Sequence, residues 1–268
     1  MTTKLHFSTI QSNGRELAAG VAGEGPPLVL IPGICMSHTR WLDVGYVDAL
    51  AQQFTVICLD PLGHGRSERC DRAEEYHPDR VAAHVLDAID ALGFDQVFGW
   101  GYSRGANILD RVAVAAPQRF ERLALGGIPL FDVRAALEAL GIAAPTAEIE
   151  ASYHRAIAGD WAGFWERFPL PLADDVKAEM EGRNDVASVA AASLATVHHP
   201  WQFQTPLIPT LAYWGAGEIF HDLNVAEAAK EEHSSLRTAA VSGGHAEAFR
   251  TLETALDLVV PFLLSDGA

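Results

Sequence analysis

Gln96-Val97-Phe98-Gly99-Trp100-Gly101-Tyr102-Ser103-Arg104-Gly105-Ala106-Asn107-Ile108-Leu109 is the stretch on which the fold turns. An apolar run from Gln96 to Gly101 reads as a buried strand, and Gly105 to Ala116 reads as a helix. Gly-Tyr-Ser-Arg-Gly lies between them. G-x-S-x-G answers a steric problem: an abrupt turn from strand to helix holds the serine in a strained backbone conformation, and side chains at the flanking positions would collide with neighbouring backbone. The turn leaves the serine hydroxyl exposed above the strand end. With 12 serines and 23 glycines in 268 residues, chance supplies about 0.09 such pentapeptides. The strand before it and the helix after it favour a nucleophile turn over a glycine-rich turn with an incidental serine.

Outward from this stretch, strands and helices alternate. Lys4 to Ile10 and Arg15 to Gly23, separated by Asn13-Gly14, read as a β-hairpin at a sheet edge. Leu28 to Ile31 and Phe54 to Leu59 are apolar runs too short for helices, as expected of strands buried on both faces. Pro78 to Gly93 carries Val81, Val85, Leu86, Ile89 and Leu92 at helical spacing, with proline at its start and glycine at its end. Further strands are expected at Leu123–Leu125, Thr210–Trp214 and Thr238–Val241, with helices at Val225–His233 and Ala246–Leu264. The pattern predicts an α/β fold, a mostly parallel sheet with helices on both faces. Residues 131–206 break the alternation. Helical segments Ala135–Leu140, Glu148–Ala158, Trp161–Phe168, Ala173–Met180 and Val186–Val197 read as a cap inserted into a core made of residues 1–130 and 207–268.

A serine hydroxyl needs a base within hydrogen-bond reach and a group to orient that base. Among 11 histidines, His245 stands out in Ser242-Gly243-Gly244-His245, after a strand and before the last helix, at the same sheet edge as Ser103. The loop Gly215-Ala216-Gly217-Glu218 ends at that edge too, so Glu218 is the expected acid, with Asp222 its rival. The chain order is Ser, Glu, His. An oxyanion hole requires backbone N–H donors: Arg104, at a helix N-terminus, and Ile34, in the loop Pro32-Gly33-Ile34-Cys35. Cys35, Trp41, Tyr102, Trp161, Trp165 and Phe220 are the expected pocket residues, and Arg104 reads as a helix-end residue paired with an acid, the alternative being contact with an anionic substrate group.

These motifs resemble those of the α/β-hydrolase superfamily, in particular its capped, lipase- and esterase-like members. The resemblance rests on the strand ending in Pro32-Gly33, the turn Asp60-Pro61-Leu62-Gly63-His64-Gly65-Arg66-Ser67, the elbow at Ser103, the Gly215–Glu218 loop and Gly244-His245. It implies that the D-x-x-G-x-G-x-S turn is structural, so that Asp60, His64 and Ser67 take no part in chemistry. Two positions depart from the pattern: Pro32 replaces the histidine common before the oxyanion-loop glycine, and Glu218 replaces the usual aspartate. The implied activity is acyl transfer on a small, mainly apolar ester or lactone, with no cofactor and no metal. Members that open epoxides or remove halogens place a carboxylate at the elbow and resemble this chain less. Carbon–carbon bond hydrolysis, other cofactor-free chemistry and a receptor that binds without catalysis are the alternatives.

The 19 basic and 35 acidic residues give a net charge of −16, which repels nucleic acids and anionic membranes in the absence of a basic stripe. A small-molecule substrate is the expected partner; nothing in the sequence sets an oligomeric state. Three cysteines without metal-ligand spacing fit a reducing compartment. The N-terminal residues lack an apolar signal core, so a cytoplasmic location is expected.

Overall fold

The computed structural model describes residues 3–133, 135, 146–166, 168, 174–204, 206–230 and 235–265. Eight strands form one sheet: β1 (His6–Ser12), β2 (Arg15–Ala22), β3 (Pro27–Ile31), β4 (Thr55–Asp60), β5 (Val97–Tyr102), β6 (Phe120–Gly126), β7 (Thr210–Gly215) and β8 (Leu236–Val241). Their spatial order is β1-β2-β4-β3-β5-β6-β7-β8. The β1–β2 and β2–β4 pairs are antiparallel; every other pair is parallel. The hairpin turns at Asn13 and Gly14, both with positive φ (50° and 74°), the requirement that makes Asn-Gly a hairpin signal.

Successive strand residues point to opposite faces, and this period of two divides the core. Val29, Ile31, Ile57, Leu59, Leu123 and Leu125 pack with residues of α3 (Pro78–Ala91) and α4 (Arg104–Ala115). Leu28, Leu30, Val56, Cys58, Phe98 and Trp100 pack on the other face with α1 (His38–Val44), α2 (Tyr46–Leu50) and the C-terminal helices. The parallel strands therefore bring their carboxyl ends, and the loops that follow, to one edge.

Between β6 and β7 lie four described helices: α5 (Thr146–Ile157), α6 (Trp161–Trp165), α7 (Asp174–Arg183) and α8 (Val186–His198). They form the inserted cap, whose apolar cluster around Tyr153, Ala156, Phe164, Val189 and Leu194 also takes in Cys35 of the core. The helix expected at 135–140 lies, residue 135 apart, outside the described residues, as do residues 231–233 of the expected Val225–His233. That segment belongs to α9, His221–Lys230, which starts four residues early. The single terminal helix expected from Ala246 to Leu264 is two, α10 (His245–Arg250) and α11 (Leu252–Leu263). They break at Thr251, whose ψ of 76° leaves the helical region. Helices α1 and α2 are additional to the sequence reading: each is short and they are separated by Gly45 at φ 98°. Among the described residues no helix is long and apolar enough to cross a membrane.

Candidate active site

Ser103 stands between β5 and α4 at φ 54° and ψ −119°, a conformation that costs an L-residue of order 1–3 kcal/mol. The surroundings hold it there. Its N–H donates to Gly126 O on β6 at 2.7 Å, and its carbonyl accepts from Ala106 N at 2.9 Å. Both flanking glycines are sterically required: a Cβ on Gly101 would lie 2.4 Å from Gly105 O, and one on Gly105 would lie 2.0 Å from Ile31 O. The packing that the motif anticipates is thus present at both positions.

The loop after β7 brings Glu218 to His245 at the start of α10. Glu218 Oε2 lies 3.0 Å from His245 Nδ1, while Oε1 accepts from Gly215 N at 2.8 Å. The acid is thereby aimed by its own turn, and its side chain is only 7% exposed against 19% for the imidazole. The longer glutamate is accommodated by that fold-back onto Gly215. The ring has little room to turn: Gly127 approaches so closely that a Cβ there would lie 2.7 Å from His245 Cε1. Tyr102 OH donates to His245 O at 2.6 Å, tying His245 to the residue before Ser103. Asp222, the rival acid, is exposed in the first turn of α9.

Ser103 and His245 face one cavity, whose walls include Gly33, Ile34, Met36, Tyr102, Phe168, Val176, Met180 and Phe249. It lies between the sheet edge and cap helix α7. Of the six expected pocket residues only Tyr102 lines it. Trp41 is fully buried beneath, edge-on to Tyr46, Trp100 and Phe249. Trp161 and Trp165 stack on each other within the cap, and Trp165 Nε1 donates to Glu181. Phe220 packs on Phe131. Cys35 lines a smaller neighbouring cavity, and burial pushes its thiol well above the ordinary range, so it is not a thiolate. A helical aromatic stripe packs the cap more readily than it faces a ligand, which is why composition misdirected these choices.

The loop carrying Ile34 is held by residues that the sequence reading set aside. Cys35, at φ 58°, donates its N–H to His64 Nε2 at 3.3 Å, and His64 Nδ1 meets Leu62 O at 3.0 Å. A backbone N–H can only donate and a carbonyl can only accept, so this ring is a neutral imidazole protonated on Nδ1. Burial lowers its pKa to about 4. Asp60, fully buried, accepts from His38 N and His38 Nδ1, both at 2.7 Å, and from Arg66 N at 2.9 Å. Asn184 of the cap donates to Cys35 O at 2.9 Å. His64 and Asn184 thus tether the loop in a chain where Pro32 occupies the position of the usual histidine.

Arg104 differs from its expected pairing with an acid. Its guanidinium is buried and donates to Ala192 O at 3.1 Å and Thr196 Oγ1 at 3.0 Å on cap helix α8, with Trp201 beside it. Burial lowers its pKa to about 10. Arg40 and Arg250, which also line the cavity, carried no motif signal in the sequence.

Residues 26–173 match the model of the alpha/beta hydrolase fold family. The chain belongs to this family. Among curated proteins it is similar to the 2-hydroxymuconate semialdehyde hydrolase of Pseudomonas sp. strain CF600, 37% identical over 42% of this chain and 43% of the relative. It is also similar to the pimeloyl-[acyl-carrier protein] methyl ester esterase of Nitrosomonas europaea, 34% identical over 42% of each. The chain spans less than half the length of these relatives. Among solved structures, an epoxide hydrolase mutant from Bacillus megaterium superposes with a TM-score of 0.76 at 18% identity, over 96% of this chain and 99% of that one. That likeness concerns the fold.

Proposed function

We propose that this alpha/beta hydrolase cleaves a small, mainly apolar carboxylic ester or lactone through an acyl-enzyme on Ser103. The observation that carries the reading is the Glu218–His245 pair at 3.0 Å, on the wall of the cavity that also holds the strained Ser103. In this mechanism Ser103 Oγ attacks the carbonyl carbon as His245 Nε2 takes its proton. Glu218 accepts the hydrogen bond from Nδ1–H, fixes the tautomer and stabilises the imidazolium. The backbone N–H groups of Ile34 and Arg104 hold the oxyanion, the latter at the first turn of α4, where the helix dipole favours negative charge.

Collapse of the tetrahedral species breaks the bond to the leaving oxygen, which receives the proton from His245. Water, deprotonated by the same histidine, then attacks the acyl carbon. The carboxylic acid departs and the serine recovers its proton. The apolar wall of Phe168, Val176, Met180 and Phe249 suits an aliphatic or aryl acyl group.

A fluorophosphonate probe is expected to label Ser103 stoichiometrically, and folded protein that takes no label overturns the reading. A serine at the elbow, where epoxide-opening members carry a carboxylate, supports acyl transfer over epoxide hydrolysis. Likeness to the semialdehyde hydrolase raises carbon–carbon bond cleavage through the same serine as the second reading. Parallel assays on simple esters and on vinylogous 1,5-diketones separate the two.

A further inference from the structure

Arg40 and Arg250 border the cavity of Ser103 and His245, and among the described residues neither is held in an ion pair. Arg40 comes from α1, just beyond the oxyanion loop, and Arg250 closes α10. Arg40 is half-buried, and its Nε is fully shielded from solvent without a hydrogen-bond partner. A buried donor left unpaired costs about 1–3 kcal/mol, more when charged, so protein interiors rarely keep one without a use.

The acids near Arg40 are engaged elsewhere. Asp43 accepts from Arg183 at 2.6 Å, and Glu179 lies 3.3 Å from the same guanidinium. Glu247, on the helix of Arg250, receives Gly244 N–H at 3.1 Å. Among the described residues neither Arg40 nor Arg250 forms an ion pair, although acidic side chains outnumber basic ones almost two to one in the sequence. Burial first, and then the neighbouring Arg250 charge, push the Arg40 guanidinium below its usual range, against the opposing pull of Glu179 and Asp43. Two like charges converge where a negative group would relieve both burial and repulsion.

We propose that Arg40 and Arg250 bind a carboxylate on the substrate, placed beyond the apolar part of its acyl chain, so that the preferred substrate is the monoester of a dicarboxylic acid. This rests on the serine-hydrolase reading and narrows its substrate class. His245 and Arg250 stand at the two ends of this six-residue helix, a backbone rise of about 7.5 Å, and both line the cavity, so the carboxylate site is set apart from the base. The apolar walls take the methylene segment, and the two arginines supply the polar end that fixes its orientation.

The test compares monomethyl esters of the C4 to C7 diacids with methyl esters of the neutral acids of equal chain length, following acid release by pH-stat. At least one monoester is expected to exceed its neutral counterpart tenfold or more in kcat/KM, chiefly through KM. That ratio should fall at least tenfold in Arg40→Gln and recover in part in Arg40→Lys. Because Arg40 is half-buried, the exposed Arg250→Gln provides a second variant, with a smaller fall in the same ratio. Equal kcat/KM for anionic and neutral esters throughout the series, or a ratio indifferent to both substitutions, overturns the assignment and leaves the serine hydrolase standing. Should no ester be cleaved, calorimetry on Ser103→Ala decides separately: monomethyl adipate binding at least tenfold more tightly than dimethyl adipate supports the carboxylate site, and equal affinities refute it.

Discussion

Asp60, the last residue of β4, and Glu218, in the loop after β7, each present a carboxylate to a histidine Nδ1, at 2.7 and 3.0 Å. Their surroundings separate them. Asp60 is fully buried, accepts two further backbone N–H groups and turns His38 against Phe7, away from the cavity. Glu218 spends its second oxygen on Gly215 N and leaves His245 partly exposed on the cavity wall beside Ser103. A carboxylate–imidazole pair is therefore not a catalytic signature in itself. What distinguishes the second pair is that its imidazole is partly exposed and lines the same cavity as the strained Ser103.

The largest contrast should come from His245→Ala, which is expected to lower kcat for a simple ester about 10⁴-fold while leaving the urea midpoint nearly unchanged. Glu218→Gln should cost about 10³-fold in kcat, because the amide misdirects the tautomer; a loss under tenfold would place orientation of the base elsewhere. Asp60→Asn should invert the pattern. Its amide turns an acceptor into a donor that faces N–H groups, so unfolding free energy is expected to drop by about 2–4 kcal/mol in a denaturant titration.

His64 sharpens the comparison through pH. Its folded pKa of about 4 lies below the ordinary 6.5, so the unfolded chain binds more protons between those values and stability rises with pH across that window. Its contribution is complete above pH 6.5 and is lost as pH falls towards 4, up to roughly 3 kcal/mol. His64→Gln should flatten that part of the stability profile; an unchanged slope would assign it to other groups. Smallest is Asp222→Asn, expected to alter kcat less than twofold. A loss matching that of Glu218→Gln would reassign the acid.

The parts of the site legible in the sequence are those where backbone geometry dictates residue type. Gly101 and Gly105 admit no side chain, and a strand-to-helix turn leaves the position of Ser103 little freedom. Likewise, the alternation of apolar runs with helical spacing sufficed for the sheet and for the loops at its carboxyl edge. Pocket residues obey no such rule. Trp41, Trp161 and Trp165 are aromatic because the core and the cap need volume, and composition alone does not distinguish a wall from a filling. Arg40 escaped notice because what sets it apart is a missing partner. The break at Thr251 was hidden by an apolar pattern that continues through both terminal helices.

Arg104 links two scales of the molecule. Its backbone begins the helix behind Ser103, while its guanidinium grips the carbonyl of Ala192 and the hydroxyl of Thr196 in the cap. Swinging α8 away would break both hydrogen bonds that this buried guanidinium makes to the helix. That strut makes α8 the anchored post of the roof: any traffic to Ser103 has to pass where the roof is not bolted to the turn beneath it.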